Sequence, residues 1–182
     1  PTRTMKEKTM AQDPVSHVDH IPVISVGHEE APLALWVPPL GMTKDDIRPV
    51  LESLAGAGFR AVSLDPWQHG ERGNQSADEI RARVFTDFRR HIWPIIGQTT
   101  LDCLRVIDDF GGGPVVAGGT SMGGDAAVAL AGIDRRVTRV ATIVATADWT
   151  RPGCATSATR HAYCPRATRT ATRSGSSTAS TP

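Results

Sequence analysis

The chain has 182 residues, 40% of them hydrophobic and 21% charged, with a formal net charge of +1. That length suits one domain with a packed core, and so even a charge balance leaves no dominant attraction to nucleic acid or anionic lipid. No apolar run reaches the roughly 20 residues needed to span a bilayer, and the polar N-terminus lacks the apolar stretch of a secretory signal.

Residues 1–19 read as a mobile arm. Apolar runs follow at Ile21–Val26 and Leu33–Val37, with a turn at 27–31 between them, and predict two strands joined by a hairpin. Pro38-Pro39-Leu40-Gly41-Met42 breaks the pattern. Thr43 is placed to cap a helix with Asp45 and Asp46 in its first turn and Ile47, Val50, Leu51 and Leu54 on one face. Gly56 and Gly58 end it. FRAVSL at 59–64 reads as a buried strand, and DPWQHGERG after it as a loop.

Residues 76–92 have helical spacing, Pro94 is expected to interrupt, and 97–109 form the next helix with Leu101, Leu104 and Ile107 inward. Gly111-Gly112-Gly113 marks a turn. PVVAG at 114–118 is a short strand, followed by a sharp turn at 119–123, a helix of small residues and a last strand at 137–145. Strands alternating with helices predict an α/β protein. The expected architecture is a three-layer α/β/α sandwich with a mostly parallel sheet and an antiparallel edge from the first hairpin.

The chemistry concentrates in Val115-Val116-Ala117-Gly118-Gly119-Thr120-Ser121-Met122-Gly123-Gly124. A G-x-S-x-G pentapeptide alone is weak evidence. Here a buried strand precedes it and a small-residue helix follows, the context in which such a serine becomes a nucleophile. A reversal this tight strains the serine backbone and excludes side chains two residues to either side, hence Gly119 and Gly123. It also aims the Met122 backbone N–H and the helix N-terminus at the point where an oxyanion would form.

With these residues in place, 20–150 resembles the α/β-hydrolase superfamily, particularly its esterase, dienelactone-hydrolase-like and peptidase-like branches. The resemblance implies that the loop at 38–42 supplies a second oxyanion N–H, with Leu40 and Gly41 as the donor candidates. It also likens Asp65-Pro66-Trp67-Gln68-His69-Gly70-Glu71-Arg72-Gly73 to the family's loop after the fourth strand, which shapes the wall of the site. A histidine in that loop more often bonds backbone than acts in catalysis.

The resemblance further requires an acid and then a histidine after the serine. Asp148 stands where some members place an alternative acid, although a polar residue closing a strand is the plainer reading. His161 is the one histidine after Ser121, in a stretch with almost no large apolar residues. From Cys154 onward the chain is nearly all Ala, Thr, Arg, Ser and Pro. Codons for that stretch, regrouped one base earlier, permit LRDLRDPARLLPQGDPDGYAQWFFDRLNP, whose YAQWFFDRL portion has helical apolar spacing. The expectation is therefore a partial hydrolase domain at 20–153, its last strands missing. A tail at 154–182 follows, either out of frame or naturally disordered.

The implied function is a serine hydrolase acting on a small ester, thioester or lactone through a Ser121 acyl-enzyme. No metal or organic cofactor, nucleic acid or membrane partner is required. Impairment follows if the acid and histidine are absent. The alternative is a non-catalytic domain that binds or oligomerises through an exposed sheet edge. Cys103, Cys154 and Cys164 are an odd number without zinc-type spacing, which points to a reducing cytoplasm.

Overall fold

The computed structural model describes residues 16–111 and 113–145. Six strands form one sheet: β1 (Ser16–Val18), β2 (Ile21–Val26), β3 (Leu33–Val37), β4 (Arg60–Leu64), β5 (Val115–Thr120) and β6 (Val137–Ile143), in the spatial order β1-β2-β4-β3-β5-β6. Strands β4, β3, β5 and β6 run parallel, while β1 and β2 supply the antiparallel edge. The helices among the described residues are α1 (Arg48–Gly56), α2 (Ala77–Thr86), α3 (Phe88–Asp109) and α4 (Met122–Ile133), with a 3-10 turn at Gly70–Arg72.

Alternation along the strands builds the three layers. Leu33, Leu35 and Val37 of β3, with Val62 and Leu64 of β4, face a core closed by Ile80 of α2, Ile95 and Val106 of α3, and Ala126 and Leu130 of α4. The opposite face packs Ile24, Trp36 and Ala61 against Ile47 and Leu51 beside and within α1.

The hairpin expected between 21–26 and 33–37 is not formed. Strand β4 lies between them, antiparallel to β2 with Val23 opposite Leu64, and parallel to β3 with Leu33 opposite Arg60. Burial explains the difference: every residue of β3 and the first four of β2 are buried. Strands covered on both faces belong inside a sheet, with neighbours on both sides. The hairpin that does form joins β1 to β2, so Ser16–Val18 belongs to the sheet and not to the expected arm.

Two helix boundaries also move. The helix expected from Thr43 begins at Arg48. The Thr43 N–H and hydroxyl both donate to Asp46 Oδ2, at 2.8 and 2.9 Å, closing a turn ahead of the helix. Pro49 then sets the first helical turn, where its missing N–H is harmless. The interruption expected at Pro94 falls instead at Asp87, whose carboxylate accepts the Arg90 N–H at 3.3 Å and caps α3. Pro94 is accommodated inside α3. Ser76 and Glu79 form a reciprocal capping box at the start of α2.

A buried ion pair ties the loop after β4 to α3. Arg72 Nη1 lies 2.6 Å from Asp102 Oδ2 with both side chains almost wholly buried. Arg105 and Gln98 donate to Asp102 Oδ1 at 2.8 and 3.0 Å. Arg72 also donates to the Asp65 carbonyl at 3.2 Å and stacks on the Trp67 ring. Deleting one partner of such a pair leaves a buried charge without its counter-ion. Asp102→Ala should therefore lower the unfolding free energy by about 3–5 kcal/mol, read as a fall in the urea midpoint at unchanged slope. A loss below about 1 kcal/mol would mean that Arg72 is satisfied by the Asp65 carbonyl and the Trp67 ring alone.

Candidate active site

Ser121 closes β5 and precedes α4 with φ +52° and ψ −118°. A side-chain-bearing residue rarely adopts this backbone, which costs about 1–3 kcal/mol. Two hydrogen bonds hold it: the Ser121 N–H donates to the Ile143 carbonyl at 2.8 Å, and its own carbonyl accepts the Asp125 N–H at 3.0 Å. The serine is exposed, and its hydroxyl makes no hydrogen bond among the described residues.

The glycines around it are required by space. A Cβ on Gly119 would collide with the Gly123 backbone, and one on Gly123 with the Val37 carbonyl. The second contact explains how the serine turn meets the loop at 38–42. Val37 is the last residue of β3 and pairs with Gly119, so the loop leaves the sheet directly beside the turn. The Met122 N–H, at the first position of α4, has no intrahelical acceptor and lies at the positive end of the helix dipole.

Leu40 and Gly41, the two expected donors in that loop, differ. The Gly41 N–H donates to His69 Nε2 at 2.8 Å. That single proton is engaged, so an oxyanion role for Gly41 would require His69 to release it. The Leu40 N–H has no acceptor among the described residues. The loop is otherwise held by the Met42 N–H on the Pro39 carbonyl at 3.1 Å and by Arg81 Nη2 on the Gly41 carbonyl at 3.4 Å.

His69 bonds backbone, as expected for its loop. Accepting from Gly41 fixes Nε2 as unprotonated, so Nδ1 carries the proton and donates to the Trp67 carbonyl at 2.9 Å. The ring is almost wholly buried. Burial pushes its pKa below the ordinary 6.5, against the pull of the Trp67 carbonyl and the Asp65 carboxylate.

Lys44, read from the sequence only as part of a helix start, is 1% exposed. Its Nζ contacts Glu71 at 2.8 Å, Asp45 at 3.1 Å and Asp65 at 3.4 Å. Burial pulls its pKa down, and the three carboxylates outweigh that pull and leave it raised. Asp65 also accepts the Lys44 and Glu71 N–H groups, each at 3.0 Å. This cluster joins residues 44–45, just after the 38–42 loop, to the 65–73 loop. No sequence signal marked it, because its members meet only once β3 and β4 are paired.

Asp148 and His161 lie outside the described residues, as do Cys154 and Cys164. Cys103 is a buried free thiol whose pKa burial raises well above its usual range.

Several solved structures share this fold. The thioesterase domain from the curacin biosynthetic pathway matches with a TM-score of 0.52 and 23% identity, covering 69% of this chain and 42% of its own. The 2-hydroxy-6-oxo-6-phenylhexa-2,4-dienoate hydrolase from Rhodococcus sp. strain RHA1 gives 0.55 and 20%, over 69% and 42%. Epoxide hydrolase A from Mycobacterium thermoresistibile gives 0.53 and 18%, over 71% and 37%. The fold is that of the α/β-hydrolases. No protein-family model and no curated protein matches the chain. The chain spans about two fifths of the length of these α/β-hydrolase structures, and no helix among its described residues is long and apolar enough to cross a membrane.

The tight turn of this α/β-hydrolase fold can be tested by two glycines of the same helix. Gly132 has open space at its Cβ position, whereas Gly123 abuts the Val37 carbonyl. Gly132→Ala should stabilise by about 0.5–1 kcal/mol through helix propensity. Gly123→Ala should destabilise by about 1–3 kcal/mol, the range for overpacking. Thermal unfolding of both variants checks the contrast, and equal effects would mean the turn tolerates a side chain.

Proposed function

We propose that this chain carries the nucleophile and oxyanion-binding part of a serine hydrolase acting on a carboxylic ester, thioester or lactone. The observation that carries the reading is the Ser121 backbone, held at φ +52° between β5 and α4 in an exposed residue. The thioesterase among the matched structures fits this substrate class.

In this reading Ser121 Oγ attacks the acyl carbon while its proton passes to a base. The carbonyl electron pair moves onto oxygen, where the Met122 and Leu40 N–H groups receive it. Collapse of the tetrahedral species expels the alcohol, thiol or ring oxygen with a proton and leaves an acyl-serine, which water then hydrolyses. Neither ring nitrogen of His69 is free to act as that base. With His69 excluded, we assign the base and its orienting acid to residues beyond the described ones, where His161 and Asp148 are this chain's own candidates.

Intact mass after exposure to a fluorophosphonate, with Ser121→Ala as control, tests the reading. One adduct in the parent and none in the variant is expected. An unmodified parent at long exposure would rule out an activated nucleophile in this chain.

A second reading rests on β6. Among the described residues it lies at the sheet edge, and Val140 and Ile143 are 41% and 53% exposed. Unpaired edges with apolar side chains favour association, which would make the domain a binding or oligomerising one. Sedimentation at increasing concentration should then show a dimer that Val140→Lys dissociates. A monomer throughout would remove this reading.

A further inference from the structure

His69 is a buried, neutral imidazole joined by both nitrogens to backbone of two different loops. Nε2 accepts from Gly41 in the 38–42 loop at 2.8 Å, and Nδ1–H donates to Trp67 in the 65–73 loop at 2.9 Å. The 65–73 loop is itself anchored by Arg72 on Asp102, by Asp65 on Lys44, and by the Trp67 N–H on Thr99 Oγ1 at 3.0 Å. Within 38–42 itself the polar contacts besides His69 are the Pro39–Met42 turn and the long Arg81 contact; Leu40 and Met42 pack on the core, and Lys44 just beyond is held by Asp65. Among the described residues the imidazole is thus the one polar link from 38–42 itself to the anchored 65–73 loop. We propose that His69 is a positioning residue that clamps the 38–42 loop through the Gly41 N–H, and that proton uptake at Nε2 releases this loop and misplaces the Leu40 N–H. The link to Leu40 rests on the hydrolase reading; the clamp does not.

The chemistry of release is direct. A protonated Nε2 is a donor, and a donor facing the Gly41 N–H cannot keep that bond. The groups around the ring set when this happens. Asp65 at the end of β4 favours protonation, but Lys44 and two backbone N–H groups already engage its carboxylate. Arg81 and Arg83 on α2 disfavour protonation, as does burial. The folded-state pKa therefore lies below the ordinary 6.5. The clamp is fully present above that value and is lost as pH falls through the lowered one.

Nitrogen-15 labelled protein, titrated from about pH 7.5 to about pH 5, tests this through two signals. Imidazole shifts report the protonation and tautomer of His69, and exchange protection reports the Gly41 amide. The expected start is a neutral Nδ1–H ring and a protected Gly41. Protection should then fall about three- to tenfold, the worth of one net hydrogen bond, in step with protonation. In His69→Gln, whose amide can accept from Gly41 but does not titrate, protection should stay level. Should that variant not fold, the parent titration decides alone.

A ring that protonates without a change at Gly41 overturns the clamp. A charged ring at the start also overturns it. A ring that stays neutral to about pH 5 in the folded protein overturns the release. Fluorophosphonate labelling of the same samples separates the two readings. No adduct at any pH with the Gly41 response intact defeats the hydrolase reading and leaves the clamp standing. An adduct formed at a rate indifferent to the Gly41 response breaks the link to Leu40.

Discussion

The arrangement depends on one unfavourable backbone. A serine at φ +52° is held only because the surrounding sheet and helix over-determine it. Its N–H is fixed by Ile143 at the end of β6, its carbonyl by Asp125 in the first turn of α4, and its neighbours Gly119 and Gly123 are pressed against backbone with no room for a side chain. The strain thus recruits three elements. β5 must lie between β3 and β6, and α4 must begin at once. The exit of β3 must touch the turn. These requirements together bring the Met122 N–H and the 38–42 loop to the same end of the sheet.

Holding that loop demands polar groups in places where they are costly. Lys44, Asp65, His69 and Asp102 are all buried. Buried ion pairs seldom stabilise a fold beyond what apolar packing would give. Their effect here is positional. Lys44 bridges Asp65 to Glu71, Arg72 bridges Asp102 to the Asp65 carbonyl, and Gly41 reaches the assembly only through His69. A purely apolar contact could bury the same surface, but it would not fix the direction of a single N–H.

Much of this was legible in the sequence, for reasons of pattern. The strand–turn–helix context of Ser121 is local, so Val115 through Ala127 carried it without help from the rest of the chain. Burial of Leu33–Val37 and Ile21–Val26 was equally plain, but their pairing was not. An apolar run announces that a strand is covered, and its partner is fixed only by the register of β4, which lies far along the chain. Pro94 does not break α3, because the Asp87 cap and the buried face of the helix outweigh the cost of one proline. Lys44 and Asp65 were unreadable as a pair, since a lysine beside two aspartates looks like an ordinary solvated turn until the fold closes over it.

The described residues are chemically one-sided. They offer donors for negative charge: the Met122 N–H, the Leu40 N–H and the positive end of α4. Their one buried histidine is not free to take the serine proton, because each of its nitrogens is already committed. Oxyanion stabilisation and binding without a functioning triad retain about 10³–10⁴ over water in a serine hydrolase. Charge stabilisation and proton transfer are thus separable in this fold. The first depends on backbone geometry that a strained turn and a buried network hold rigidly. The second depends on side chains from later in the chain order. A domain with the first property and not the second would bind an acyl group's developing charge while leaving its nucleophile a weak one, since a serine hydroxyl gains its reactivity from an adjacent base.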